Sequence, residues 1–186
     1  MVKCINREMT EGHDRQLPPF VVPPKEPLRT GPQGVDIRIL VRSSQTDYQY
    51  TCVEAALAPK TMGPSPHIHE NLDEISFVLE GTLSVMVEDT VYEVPPGGIQ
   101  MRPSGLVHSF WNAGDKPLRF LDICLNQNFD DYLEEFFEIM AHVANYKKTF
   151  ADPDIAKHLE ELDREFGVTQ FPEKRRSIIA EYALVG

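Results

Sequence analysis

At 186 residues, with 41% hydrophobic and 25% charged residues, the chain has the size and composition of one globular domain plus a small appendage. Its net charge of −11 argues against nucleic-acid binding, which needs a basic stripe; the run Lys174-Arg175-Arg176 reads as a solvated helix face. No apolar run approaches the length of a membrane span, and the polar start of the chain lacks the apolar stretch of a signal peptide.

Residues 1–33 read as an extended arm, because Pro18, Pro19, Pro23, Pro24, Pro27 and Pro32 exclude helix and inner strands. The arm is expected to lie on the surface or reach a partner subunit, with its first dozen residues disordered. Residues 34–125 read as short strands at 35–43, 49–57, 74–80, 82–89, 90–94, 99–103, 106–112 and 117–125, separated by turn residues such as Gly81 and Pro95-Pro96-Gly97-Gly98. β-Branched and aromatic residues are frequent and no helix-length segment intervenes, which predicts an all-β sandwich or barrel. Cys4, Cys52 and Cys124 are odd in number and widely spaced, the pattern of reduced thiols in a cytoplasmic protein; Cys52 and Cys124 fall in apolar runs and read as packing residues. From residue 126 onward the period becomes helical. One amphipathic helix is predicted over 129–147, with Asn128 as cap and Asp130 and Asp131 in its first turn. A second is announced by Asp152-Pro153 and ends at Gly167, and Pro172 opens a third.

The stretch "GPSPHIHENLDEISFVLEG" carries His67 and His69 with one residue between them. Two prolines exclude a helix there, and in a strand residues i and i+2 face one side with Cα atoms ~6.5–7 Å apart, so two imidazoles can meet at one ion. Taken alone, such a pair also suits two solvent-facing histidines. Glu74 opens an apolar strand on the face of Ser76 and Val78, after a turn-like "ENLD"; a carboxylate buried there needs a partner, which a cation supplies. Asp73, in the turn, competes with it for that part. His108 shares a strand face with Phe110 and Asn112, and a lone histidine in that setting is also an ordinary core residue.

Two segments resemble the two motifs of the cupin superfamily. His67, His69, Glu74 and Gly81 match G-x5-H-x-H-x(3,4)-E-x6-G, and Gly97, Pro103, Gly105, His108 and Asn112 match G-x5-P-x-G-x2-H-x3-N. The first motif's opening glycine falls at Thr61, with Gly63 two residues later, a departure that touches a turn and no ligand position. The resemblance implies a jelly-roll β-barrel in which His67, His69, Glu74 and His108 hold one divalent transition metal ion: Fe, Mn, Ni, Co, Cu or Zn. The inward strand faces predict a pocket of Ser76, Val78, Ser84, Met86, Met101, Phe110 and Asn112, mainly apolar and suited to a flat or aromatic small molecule. Residues 35–145 are further similar to the one-domain cupins labelled quercetin dioxygenase-like, which implies a dioxygenase with Glu74 doubling as ligand and proton acceptor. A metal-dependent isomerase, decarboxylase or lyase, with the ion as Lewis acid, and a non-catalytic small-ligand-binding protein are the alternatives. The resemblance also implies a homodimer.

Overall fold

All eight runs read as strands form them, and three short strands join them. The computed structural model describes residues 17–31, 33–141 and 152–185. In chain order the strands are β1 (Val35–Val41), β2 (Tyr50–Leu57), β3 (Thr61–Met62), β4 (His67–His69), β5 (Asp73–Glu80), β6 (Leu83–Val87), β7 (Thr90–Val94), β8 (Ile99–Arg102), β9 (His108–Asn112), β10 (Leu118–Leu125) and β11 (Val168–Gln170). The helices are α1 (Phe129–Ala141), α2 (Pro153–Glu165) and α3 (Pro172–Tyr182). The rest of the helix predicted to 147 and the first dozen residues lie outside the described residues.

Two antiparallel sheets face each other as a jelly-roll barrel. The first runs β1-β2-β10-β5-β8, the second β11-β4-β9-β6-β7 with β3 paired to β9. Strict alternation along β10 (Phe120 and Cys124 inward, Leu121 and Ile123 outward) shows why a period of two specifies this register. Ala55, Leu57, Val78, Leu83, Val85, Val94, Leu118 and Phe120 fill one end of the barrel. Burying each of the larger ones stabilises the fold by roughly 1.5–3 kcal/mol. Between β5 and β6 the chain crosses from one sheet to the other at Gly81, where φ is +77° and a Cβ would lie 2.6 Å from the Pro117 carbonyl oxygen. Glycine is required there on both counts.

The arm passes over the outside of the first sheet. The Leu28 N–H donates to Glu54 Oε1, and Arg38 Nη2 donates to the Glu26 carbonyl. Outward-facing Ile75, Phe77, Leu79, Leu121 and Ile123 are half-buried, while Ile99 and Met101 on the edge strand β8 are exposed.

The segment after the barrel is more than a helical appendage. Asp130 in the first turn of α1 is buried and accepts from the Thr51 hydroxyl at 2.8 Å, fastening α1 to β2. Asp152 caps α2 by accepting from the Asp154 and Ile155 N–H groups. The chain then returns as β11, which pairs with β4 along its whole length: Val168 with His69, Thr169 with Ile68 and Gln170 with His67. Finally α3 lies on the outer side of the second sheet, where Ile178 and Leu184 pack on Met62 and Trp111. The strand carrying His67 and His69 is thus held mainly by residues from the far end of the chain.

Candidate metal centre

His67 and His69 project from β4, Glu74 from the start of β5 and His108 from β9. The link between β4 and β9 is the single pair His67–His108, and Glu74 enters from the opposite sheet. One potential ligand atom from each of the four residues lies within 4.8 Å of the other three. The Nε2 atoms of His67 and His69 are 3.1 Å apart, and Glu74 Oε2 is 2.8 Å from His108 Nε2 and 3.8 Å from His69 Nε2. All four side chains are buried, the most exposed at 6%.

The orientation of the rings matches what a cation needs. His67 Nδ1 donates to the Ser65 carbonyl at 2.8 Å and His108 Nδ1 to the Leu106 carbonyl at 3.0 Å. Those bonds place the protons on Nδ1, which leaves the Nε2 lone pairs turned into the cluster. His108 Nε2 is close to Glu74 but not aligned for a hydrogen bond, and it has no such partner among the described residues. Burial holds the pKa of His67 well below its usual value, and burial likewise holds His69 down at about 4, so both rings are neutral at physiological pH. Neutral imidazoles with convergent lone pairs are suited to bind a metal ion.

Arg102 on β8 is the unexpected member of the site. It is fully buried, and each nitrogen of its guanidinium finds an acceptor. Nε donates to Glu74 Oε2 at 3.1 Å, and Nη1 to Ser76 Oγ at 2.9 Å and Gln100 Oε1 at 3.2 Å. Nη2 bonds both oxygens of Asp122 at 2.7 and 2.9 Å. Burial raises the Glu74 pKa, but the Arg102 charge overrides it and holds the carboxyl well below its usual range. Asp122 goes the other way, raised by burial beyond what Arg102 can offset, with the charge of Glu74 adding to the rise. Two buried carboxylates thus share one guanidinium, and the interior is short of positive charge. A divalent cation among the three imidazoles and Glu74 would fill that deficit, so the residues present fit a metal ion.

An aromatic cap closes the barrel over this cluster. Phe129 of α1 meets the His69 ring edge to face, with centroids 4.9 Å apart, and stacks on Tyr132 at 4.6 Å. Leu72, Phe166, Leu162 and Val168 complete the layer. The Tyr132 hydroxyl donates to Asp163 of α2 at 2.7 Å, tying the two helices of the cap together.

Residues 53–124, from β2 to the end of β10, match the family model described as cupin domain. That stretch contains all four residues of the cluster. Sequence comparison with curated proteins returns no match. Among solved structures, TT1209 from Thermus thermophilus is similar with 23% identity and a TM-score of 0.48, over 53% of this chain and 89% of that one. KdgF from Halomonas sp. is similar with 19% identity and a TM-score of 0.48, over 55% and 88%. A recombinant oxalate oxidase in complex with glycolate is similar with 24% identity and a TM-score of 0.46, over 53% and 54%.

Within residues 53–124 the four residues of the expected ligand set come together, and Asp73 does not join them: its carboxylate accepts from the Ser104 N–H and Asn126 Nδ2 instead. The expected pocket divides. Ser76 and Phe110 lie inside near the site, Ser76 donating to Asp122 and Phe110 packing on Phe120 and beneath the Arg102 guanidinium. Val78 belongs to the apolar core at the other end of the barrel. Asn112 is inside too, but four residues beyond His108. Its Nδ2 donates to the carbonyls of Leu57, Ala58 and Lys116, so its amide ties loops together.

Ser84, Met86 and Met101 face outward, contrary to expectation. Ser84 and Met86 pair across the ladder with Trp111 and Ser109, and Met86 packs with the Met62–Trp111 cluster beside α3. Met101 pairs with outward-facing Ile75 and is 48% exposed. Val85 and Val87 are the inward residues of β6, and Gln100 and Arg102 those of β8. Arg102, Asp122 and Phe129 were absent from the expected site. The one signal for the first two was their strand position, sharing a face with Glu74 and Ser76 once the register is known.

Proposed function

We propose that this protein is a metal-dependent oxidoreductase of the dioxygenase type, acting on a small aromatic or enolic substrate at a mononuclear centre held by His67, His69, Glu74 and His108. The observation that carries the reading is the convergence of three imidazoles and a carboxylate in a buried interior where one guanidinium faces two carboxylates. An ion bound there would supply the site at which substrate and O2 are brought together and activated. The chain's own residues orient the ligands through Ser65 and Leu106 and exclude water with the Phe129–Tyr132–Phe166 cap. They also keep Glu74 ionised through Arg102. That last bond opposes the proton-acceptor role expected for Glu74, because a carboxylate stabilised as the anion is a poor base.

The same bond favours a second reading, in which the ion serves as a Lewis acid for an isomerisation, decarboxylation or elimination that needs no base at Glu74. Metal analysis of tag-free protein, followed by O2-uptake assays on phenolic and 1,3-dicarbonyl compounds, separates the two. Metal-dependent uptake abolished in Glu74→Ala supports the oxidoreductase; turnover indifferent to oxygen supports the Lewis acid. Absence of any bound transition metal sinks both.

We also read the protein as a cytoplasmic homodimer that takes no nucleic acid. The exposed Ile99 and Met101 edge beside the apolar outer face of the first sheet supports pairing with a second copy, and the free thiols Cys52 and Cys124 suit a reducing compartment. The net charge of −11 opposes binding to a polyanion. No described helix is long and apolar enough to cross a membrane. Sedimentation of the purified protein tests the dimer: a monomer at micromolar concentration refutes it.

A further inference from the structure

Arg102 has no place in the ligand set, yet a fully buried guanidinium beside the centre costs several kcal/mol in desolvation unless its partners repay it. All three of its nitrogens are engaged by the protein itself, through Glu74, Ser76, Gln100 and Asp122. Its bond to Glu74 falls on Oε2, the oxygen that also faces His69 and His108. A carboxylate oxygen has two lone pairs, and one of these is committed to Arg102 Nε–H. The other is left for the cluster.

We propose that Arg102 is the positioning residue of the centre: it locks the Glu74 carboxylate so that Oε2 presents a single lone pair to the ion. Asp122 and Ser76 anchor the arginine in turn. Asp122 grips Nη2 with both oxygens, and the Ser76 hydroxyl accepts from Nη1 while donating to Asp122 at 2.8 Å. The brace spans β5, β8 and β10, three adjacent strands of the first sheet, so the carboxylate orientation is tied to the rigid ladder rather than to side-chain rotamers. Without the brace, Glu74 turns freely about its side-chain torsions, and its charge is delivered to the ion at the expense of ordering it.

This proposal rests on the metal reading, and Co(II) titration into chelator-treated full-length protein tests the two apart. Affinity is read from the growth of the visible d–d bands, geometry from their position and intensity. Arg102→Met is expected to lower Co(II) affinity about 10–100-fold, the usual effect of losing a group that orients a ligand, and to shift the d–d bands. Arg102→Lys, which retains a cation able to bond Oε2, is expected to recover most of the affinity. In a Glu74→Gln background the Arg102→Met change should have almost no further effect, a non-additivity that a merely structural arginine would not produce. Should Arg102→Met fail to fold, Ser76→Ala loosens the same brace more gently and should move the bands in the same direction. Wild-type affinity and bands in a folded Arg102→Met or Ser76→Ala protein overturn the positioning role while leaving the metal reading intact. If the wild type itself binds no Co(II), the metal reading has failed, and the positioning role goes with it.

Discussion

Truncating Phe129 to alanine isolates the cap from the ligands it covers. The ring is 5% exposed, lies edge-on against His69 at 4.9 Å, stacks on Tyr132 at 4.6 Å and meets Phe166 at 6.5 Å. Removing a buried phenylalanine costs roughly 3–5 kcal/mol, and the aromatic pairs lost with it keep this site from the bottom of that range. At about 2–4 °C per kcal/mol for a chain of this size, ~4 kcal/mol lowers Tm by roughly 8–16 °C. Its aromatic neighbours Tyr132, His69 and Phe166 stay behind and are held by their own contacts, which limits collapse into the space.

The same substitution should speed metal loss, because the buried ligands are reached by opening the layer that Phe129 closes. If opening breaks about half of the ring's contacts, its free energy falls by ~2 kcal/mol, which is roughly a 30-fold faster release at ~1.4 kcal/mol per factor of ten. Urea unfolding gives the first quantity, and transfer of Zn(II) from loaded protein to a chromogenic chelator gives the second. A variant that loses ~4 kcal/mol of stability yet releases Zn(II) within twofold of the wild-type rate would refute the cap as the barrier to the centre.

Three further outcomes follow from the site. Glu74→Gln leaves Arg102 balanced by Asp122 alone, so the metal-free protein should keep its Tm within a few degrees of the wild type. Wild type saturated at about 100 times Kd should gain ~2.7 kcal/mol, and thermal melts with and without the same Co(II) concentration should show a much smaller gain in the variant, whose three imidazoles still bind the ion weakly. Metal-free protein should lose stability in mild acid: His69 titrates at about 4 when folded against 6.5 when unfolded, so the unfolded chain holds more protons between those values. Stability is therefore complete above pH 6.5 and falls by ~3 kcal/mol as pH drops through about 4, with His67 adding in the same direction; urea midpoints across pH 4–7 measure it. Gly63→Ala places a Cβ 2.4 Å from the Phe110 carbonyl oxygen and 2.8 Å from its ring, four residues before His67. A loss of about 1–3 kcal/mol is expected, together with weaker Co(II) binding, and a variant with wild-type values for both would show that the loop moves without disturbing β4.

The barrel was legible because its signal is local. Period-two alternation and turn residues mark each strand, and the spacing of His67, His69, Glu74 and His108 matches a pattern whose parts are recognisable one segment at a time. Gly63 shows the same locality, since the glycine displaced from the motif's usual position is the one that lets the loop press against Phe110. β3 and β11 were not legible, at two and three residues with no alternation to read. β11 exists because β4 offers an unpaired edge and α2 delivers Val168 to it, a long-range reason with no trace in the segment itself.

Facing within strands failed for two physical reasons. β6 follows β5 after a brief turn at Gly81, and carrying the alternation through puts Ser84 and Met86 inside; but the turn hands the chain to the opposite sheet, so the odd-numbered Val85 and Val87 point in. In β8 the choice lay between Met101 and Arg102, and hydropathy alone prefers the methionine because a lone buried arginine is prohibitive. Arg102 is not alone. Two carboxylates on neighbouring strands make its burial possible, and their excess over it makes a further cation favourable. The inward arginine and the inferred ion are therefore one electrostatic arrangement. Neither can be deduced from its own strand, because each depends on charges contributed by the others.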